Sequence, residues 1–305
     1  MKVLVTGGAG FIGSSLSRAL VEKGHEVVVI DNFFLGSDKN IADIKSRIKL
    51  VKADITDAEA VAGASVGCDI IFSQAGASSS PMFRKELRRS VAVNVDGFIN
   101  IMNAAVKNGV KRVVYASTSS IYGNMKPPLT EDVKCVPVNM YASTKLMNEH
   151  TALLIGAENG IETIGLRYMS VYGPGEESKG IFANLVSQFL WAMKKGESPV
   201  IYGDGTQTRD FTYVKDVVKA NMLAMESGKR LNDVFNVGTG TEVSLNGLVE
   251  ILNHVLGKKI KAAYVRNDVK NYISTQRADI SKVRKELGYE PEFTLEAGIR
   301  DMLSQ

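Results

Sequence analysis

The chain has 305 residues, 37 Lys plus Arg against 33 Asp plus Glu, a net charge of +4 and an apolar fraction of 45%. This composition excludes a disordered, collagen-like or disulfide-built protein, and the charge is too weakly basic to argue for nucleic acid. Cys68 and Cys135 lack CxxC spacing, and His25, His150 and His254 are scattered, so neither a metal site nor a histidine-based triad is expected.

Met1-Lys2 runs straight into an apolar VLV without a signal-like segment. No run approaches the ~18–20 apolar residues of a membrane helix, so the expectation is a cytoplasmic protein with no membrane partner. Residues 2–7 read as a buried strand and 11–24 as a helix stopped by Gly24. Strands follow at 25–32, 48–55 and 69–76. A long helix is expected over 90–109, a strand over 111–120, a helix over 139–158 and a strand over 161–173. Val- and Ile-rich runs without polar alternation indicate strands buried on both faces. Strand–helix–strand alternation then gives right-handed parallel units, so the fold class is α/β with a doubly wound parallel sheet. Beyond 173 the pattern loosens into a helix around 181–195, a turn-rich stretch, a strand and turn over 235–240, and small helices. The expected division is a sheet domain of 1–173, with 208–238 returning to it, and a smaller lobe of 174–207 and 239–305. That lobe would sit over the C-terminal strand ends, where open α/β sheets bind ligands.

TGGAGFIG (6–13) lies between the first strand and the first helix. Gly7, Gly10 and Gly13 permit a tight turn and close approach of backbone N–H groups, around Phe11 and Ile12, to a pyrophosphate at the helix start. A plain turn is the competing reading. Asp31, ending the second strand, suits the hydroxyls of an adenosine ribose and repels a 2′-phosphate. Its neighbours Asn32 and Phe33 bring no arginine, so NAD is expected rather than NADP. Asp54, with Ile55 beside it, suits the adenine edge or a turn.

Tyr141 and Lys145 stand four apart and share one face of a helix. Tyrosine, with an ordinary pKa of ~10, is a poor base at neutral pH. A nearby ammonium and the positive nicotinamide of NAD⁺ favour its phenolate. Ser117, Thr118, Ser119 and Ser120 end the preceding strand and can bring a hydroxyl to the same substrate oxygen.

These motifs occur in order with ASTSSIYG (116–123), LRYMSVYGPG (166–175), GDGTQTRDF (203–211), FNVGTG (235–240) and ADISKVRKELGYEP (278–291). Over nearly the whole chain they resemble the extended short-chain dehydrogenase/reductases of the NAD-dependent nucleotide-sugar epimerase/dehydratase family. The resemblance implies a Rossmann domain holding NAD tightly, and a C-terminal lobe for a UDP-sugar. It also implies a homodimer through the helices around 94–108 and 139–158. Tyr141 would be the base, Lys145 would hold the nicotinamide ribose and Thr118 would be the hydroxyl partner. Ser119 and Ser120 stand where dehydrating or decarboxylating relatives carry an acid, which favours simple C4 epimerisation. UDP-glucose/UDP-galactose is the first expected pair, then the N-acetyl or glucuronate forms. Arg209 would bind the diphosphate, Arg266 would be a second clamp and Tyr202 would pack on the base. Ser170 replaces a usual Asn, and Gln276 stands where relatives decide whether an N-acetylated sugar fits. The usual HLAA becomes SQAG over 73–76. A net NAD-dependent reductase or dehydrogenase, and a non-catalytic NAD sensor, are the competing functions.

Overall fold

The computed structural model describes residues 1–304; Gln305, assigned above to the C-terminal lobe, lies outside the described residues. β1 Lys2–Thr6 leads into α1 Phe11–Glu22, then β2 Glu26–Asp31, β3 Ile48–Lys52, α2 Ala58–Ala64 and β4 Ile70–Ser73. Next come α3 Ser80–Lys85, α4 Leu87–Asn94, α5 Asp96–Lys107, β5 Arg112–Thr118, α6 Met140–Asn159, β6 Glu162–Tyr168 and β7 Ser170–Tyr172. α7 Leu185–Lys194, β8 Val200–Tyr202, β9 Thr208–Arg209, β10 Phe211–Tyr213, α8 Val214–Glu226 and β11 Asn232–Val237 follow. The chain closes with β12 Val243–Ser244, α9 Leu245–Leu256, β13 Ala263–Val265, α10 Ser281–Leu287 and α11 Leu295–Ser304.

Seven strands form one parallel sheet in the order β11-β6-β5-β4-β1-β2-β3. Their side chains alternate between two cores. Val3, Val5, Val27 and Val29 pack with Leu16 and Leu20 of α1 and Val217 and Ala220 of α8. Leu4, Val28, Ile30 and Ile71 pack with Phe98, Ile101 and Met102 of α5. Because both faces are covered, apolar residues occupy successive strand positions, and the doubly wound α/β class is the observed one. The strand order reverses between β1 and β4, which opens a crevice at their C-terminal ends.

Several element boundaries differ from the sequence pattern. The single helix expected over 90–109 is α4 and α5, broken at Val95 with φ −98 and ψ −63. The strand expected over 161–173 divides at Met169: β6 stays in the main sheet, whereas β7 leaves to pair with β10. The helix expected around 181–195 is a 3₁₀ turn over Glu177–Phe182, interrupted by Gly180 at φ +52, and then α7. Asn184 restarts that helix by accepting the Val186 N–H at 3.0 Å. α8 has no counterpart in the sequence reading; its apolar side packs beside α1.

A third core gathers α7, α9 and α11 around Tyr172, Tyr213 and Leu248. Its junction with the sheet is knotted by Asp210, which is wholly buried. That carboxylate accepts from the Thr239 N–H and hydroxyl, both at 2.8 Å, the Gly240 N–H at 3.0 Å and the Ala278 N–H at 3.2 Å. Burial pushes its carboxyl above the ordinary range, and these bonds work in the opposite direction. The knot carries Arg209 and Gln276 to the strand ends. Among the described residues, no helix is long and apolar enough to cross a membrane.

Candidate active site

The glycine turn after β1 packs against the segment after β4. Gly7 takes φ +68, and a Cβ there would meet the Ala75 backbone at 2.8 Å. At Gly13 it would lie 2.1 Å from the Gly7 carbonyl oxygen. α1 then starts with Gly10 as its N-cap, with no capping side chain and no acidic residue in the first turn. Its leading N–H groups and positive dipole end are therefore left uncapped by any side chain of the helix itself, as an anion site requires.

Asp31 is 7% exposed. It accepts the Ala9 N–H at 2.9 Å and the Phe33 N–H at 2.7 Å, which staples the glycine turn to the end of β2. Burial pushes its carboxyl up, against those bonds. Asn32 donates to Asp54 at 2.6 Å, and Thr56 donates to it through its N–H and hydroxyl. Burial opposes the Asp54 charge, but the bonds from Thr56 and Asn32 prevail and hold its carboxyl below the ordinary range. Ile55 is buried beside it. All nine of these sequence-selected residues of the nucleotide side, from Gly7 to Ile55, line one cleft.

A second cleft continues from the first past Phe11, Ile12 and Gly76, and it brings together Thr118, Tyr141, Lys145, Ser170, Arg209 and Gln276. α6 is capped by Asn139, whose side chain accepts the Ala142 N–H at 2.9 Å. Tyr141 and Lys145 therefore lie one turn apart at its start, beside the end of β5. The Lys145 ammonium, 7% exposed, donates to the Ala116 carbonyl at 2.9 Å. Burial brings its pKa down to about 8, and the Glu149 charge one turn further on resists. Burial pushes the Tyr141 phenol up, and the neighbouring Thr118 hydroxyl pulls it back. The arrangement thus sets one phenol and one hydroxyl in the same cleft, with an ammonium of lowered proton affinity alongside.

Polar groups hold these walls in place, and among them Asn94, Glu149 and Lys179 have no part in the sequence reading. Asn94, buried at the break between α4 and α5, accepts the Ala77 N–H at 2.7 Å and donates to the Thr144 hydroxyl at 3.1 Å. It ties the segment after β4 to α6. Gln74, inside the SQAG departure, donates to the Tyr168 hydroxyl and the Asn221 side chain, both at 3.1 Å. Arg167 grips Glu149 with both arms, at 3.0 and 2.8 Å, and the Ser117 hydroxyl donates to the same carboxylate at 2.5 Å. Lys179, on the loop before α7, lines both clefts.

In the second cleft, Arg209 lies over the Tyr272 ring, 5.4 Å from its centroid, and burial lowers its proton affinity. Gln276, 6% exposed, donates to the Ser119 hydroxyl at 3.0 Å. The Ser170 N–H donates to the Asp210 carbonyl at 3.0 Å. Tyr202 and Arg266 are not brought to this cleft. β8 and β13 pair in a small outer sheet, so Tyr202 is exposed and Arg266 stands in solvent, 2.7 Å from Asp268.

Residues 3–238 match the family described as NAD dependent epimerase/dehydratase. The chain is 34% identical to a putative UDP-glucose 4-epimerase of Methanocaldococcus jannaschii, over 99% of this chain and 97% of that one. A UDP-glucose 4-epimerase of Thermotoga maritima, solved with UDP-glucose, superposes with a TM-score of 0.94 at 32% identity, over 100% and 98% of the two chains. A UDP-glucuronic acid 4-epimerase of Bacillus cereus, solved with UDP-glucuronic acid and NAD, superposes with a TM-score of 0.91 at 29% identity, over 100% and 98%. The glycine cradle that a Cβ would fill, the α1 start without a capping side chain and the buried Asp31 fit the same cofactor. The chain therefore belongs to the NAD dependent epimerase/dehydratase family and is, within it, an NAD-dependent epimerase.

Proposed function

We propose that the chain interconverts the C4 epimers of a UDP-hexose, UDP-glucose and UDP-galactose first. One observation carries this reading: among the described residues lining the sugar cleft there is no Asp, Glu or His. Dehydration or decarboxylation needs a further acid or base beside the sugar, whereas C4 epimerisation needs one group that takes and returns one proton.

The turn around Gly7, Gly10, Phe11, Ile12 and Gly13 would hold the NAD diphosphate. Asp31 would hold the adenosine ribose, Asn32, Asp54 and Ile55 the adenine, and Lys145 the nicotinamide ribose. Bound NAD supplies a reversible hydride acceptor, so the reaction has no net redox change. Tyr141 takes the 4-hydroxyl proton and returns it, and Thr118 fixes that oxygen. The Lys145 ammonium favours the phenolate by charge. Arg209 neutralises the substrate diphosphate, while Ser170, Ser119 and Gln276 bound the sugar. The working division is 1–173 with 208–238 for the cofactor, and 174–207 with 239–305 for the substrate. The setting is a cytoplasmic homodimer. The exposed Met147, Leu153 and Leu154 of α6 support the dimer and light scattering tests it.

The deciding experiment supplies UDP-glucose to purified protein without added cofactor and separates the nucleotide sugars by chromatography. UDP-galactose is expected. No turnover on any UDP-hexose, with stoichiometric NADH formed from another alcohol, would establish a net dehydrogenase instead. UDP-glucuronate and UDP-N-acetylglucosamine belong in the same screen, because the mid-sized polar Gln276 admits either sugar.

A further inference from the structure

Residues 174–184 cross the mouth where the two clefts join, and this crossing is fastened at several points. The Asn40 side chain donates to the Ala9 carbonyl in the glycine turn at 3.1 Å and to the Gly175 carbonyl at 3.3 Å. The Ser178 hydroxyl donates to the Leu35 carbonyl, beyond β2, at 2.6 Å. Phe182 packs on the cluster of Ala77, Met82 and Phe83, against which Leu35 and Tyr141 also pack. The strap is therefore fastened to the loop after β2 and, through Asn40, linked to the glycine turn.

Lys179 sits in the middle of this strap and is the one charged residue, among those described, that lines both clefts. Its Nζ lies 5.1 Å from the centroid of the Phe11 ring, at the residue that opens α1. Glu176, wholly buried, accepts from that Nζ at 2.8 Å, from the Asn184 N–H at 3.0 Å and from the Ser187 hydroxyl at 2.6 Å. An ammonium has three donors, and Glu176 takes one. The remaining two are held beside the helix start with the side chain 15% exposed. A helix end supplies only about half a positive charge, while a dinucleotide diphosphate carries about two negative ones. The first turn of α1, FIGS, holds no cation, Lys145 is tied to Ala116, and Arg209 lines only the sugar cleft; Lys85 and Arg89 line the nucleotide cleft but not its junction with the sugar cleft, and Arg89 lies over the Phe34 ring.

We infer that Lys179 is a cofactor-binding residue: its ammonium pairs with the diphosphate of bound NAD, and the strap that carries it retains the cofactor between turnovers. This rests on NAD as cofactor and not on which sugar is epimerised.

The test measures the NAD content of the purified protein and the rate at which bound NAD exchanges with labelled NAD, neither of which requires turnover. Lys179→Met should exchange NAD about 10- to 100-fold faster, the worth of one charged hydrogen bond, and purify with less of it. Lys179→Arg should stay near the parent, and Ser178→Ala should fall between the two. Because Lys179→Met leaves Glu176 buried without its partner, Glu176→Gln/Lys179→Met provides a second route, with the same faster exchange expected. Exchange within about two-fold of the parent in both Met variants would overturn the assignment. So would unchanged exchange with a raised KM for the UDP-sugar, which would give Lys179 to the substrate diphosphate.

Discussion

On the nucleotide side of the cleft, close approach is a matter of backbone: Gly7 and Gly13 leave no room for a Cβ, and Asp31 ties down the Ala9 and Phe33 N–H groups. On the sugar side, Thr118, Tyr141, Arg209 and Gln276 arrive as side chains from four separate segments, and buried polar knots keep them in register. A backbone wall reads one shared feature, a diphosphate between two ribosides, and tolerates little change. A side-chain wall can be altered one residue at a time, which suits a family whose members, as the two solved relatives illustrate, carry different sugars.

The sharpest way to separate the walls is Tyr141→Phe. It should lower kcat by about 10²–10⁴-fold while the bound NAD content stays that of the parent, because the phenol is no part of the glycine cradle. Loss of NAD together with activity would show that the walls are not independent.

Glu149→Gln strikes beneath both. It leaves the buried Arg167 without its counter-charge, which should cost about 3–5 kcal/mol in denaturant unfolding. The same variant tests the Lys145 charge. Lys145 loses its proton as the pH rises through about 8, so parent activity should decline above that point. Removing the Glu149 carboxylate takes away what favours the ammonium, so the decline should move to lower pH. An unmoved alkaline limb would show that Glu149 is only a structural anchor.

Arg209→Ala should raise KM for the UDP-sugar by about 10-fold or more, as one charged hydrogen bond is worth about 1.5–3 kcal/mol, with NAD content unchanged. Gly13→Ala should do the converse. Its Cβ would overlap the Gly7 carbonyl, so the protein should purify depleted in NAD and lose about 1–3 kcal/mol in thermal or denaturant unfolding. Arg266→Ala should change KM and stability least, within about 0.5 kcal/mol, because that side chain is paired in solvent on the outer sheet. A large rise in KM there would return Arg266 to the diphosphate.

Readable in the sequence were features whose geometry is set within a few residues. The GxxGxxG turn, Asp31 at a strand end and the i, i+4 pair of Tyr141 and Lys145 all belong to this class. The hidden features depend on partners far apart in the chain. Gln74 and Asn221 are 147 residues apart, and Asp210 binds Ala278 across 68. Val95, where one expected helix becomes two, carries neither Gly nor Pro to mark the break.

By itself, then, the sequence determined the parallel sheet, through apolar runs that only double-sided burial explains, and the nucleotide turn and Tyr–Lys pair, through local backbone geometry. The tertiary structure decided which side chains line the second cleft, that Tyr202 and Arg266 do not, and that Lys179 reaches the start of α1. Those outcomes depend on which strand ends and loops meet when the chain closes, and residue spacing carries no record of that.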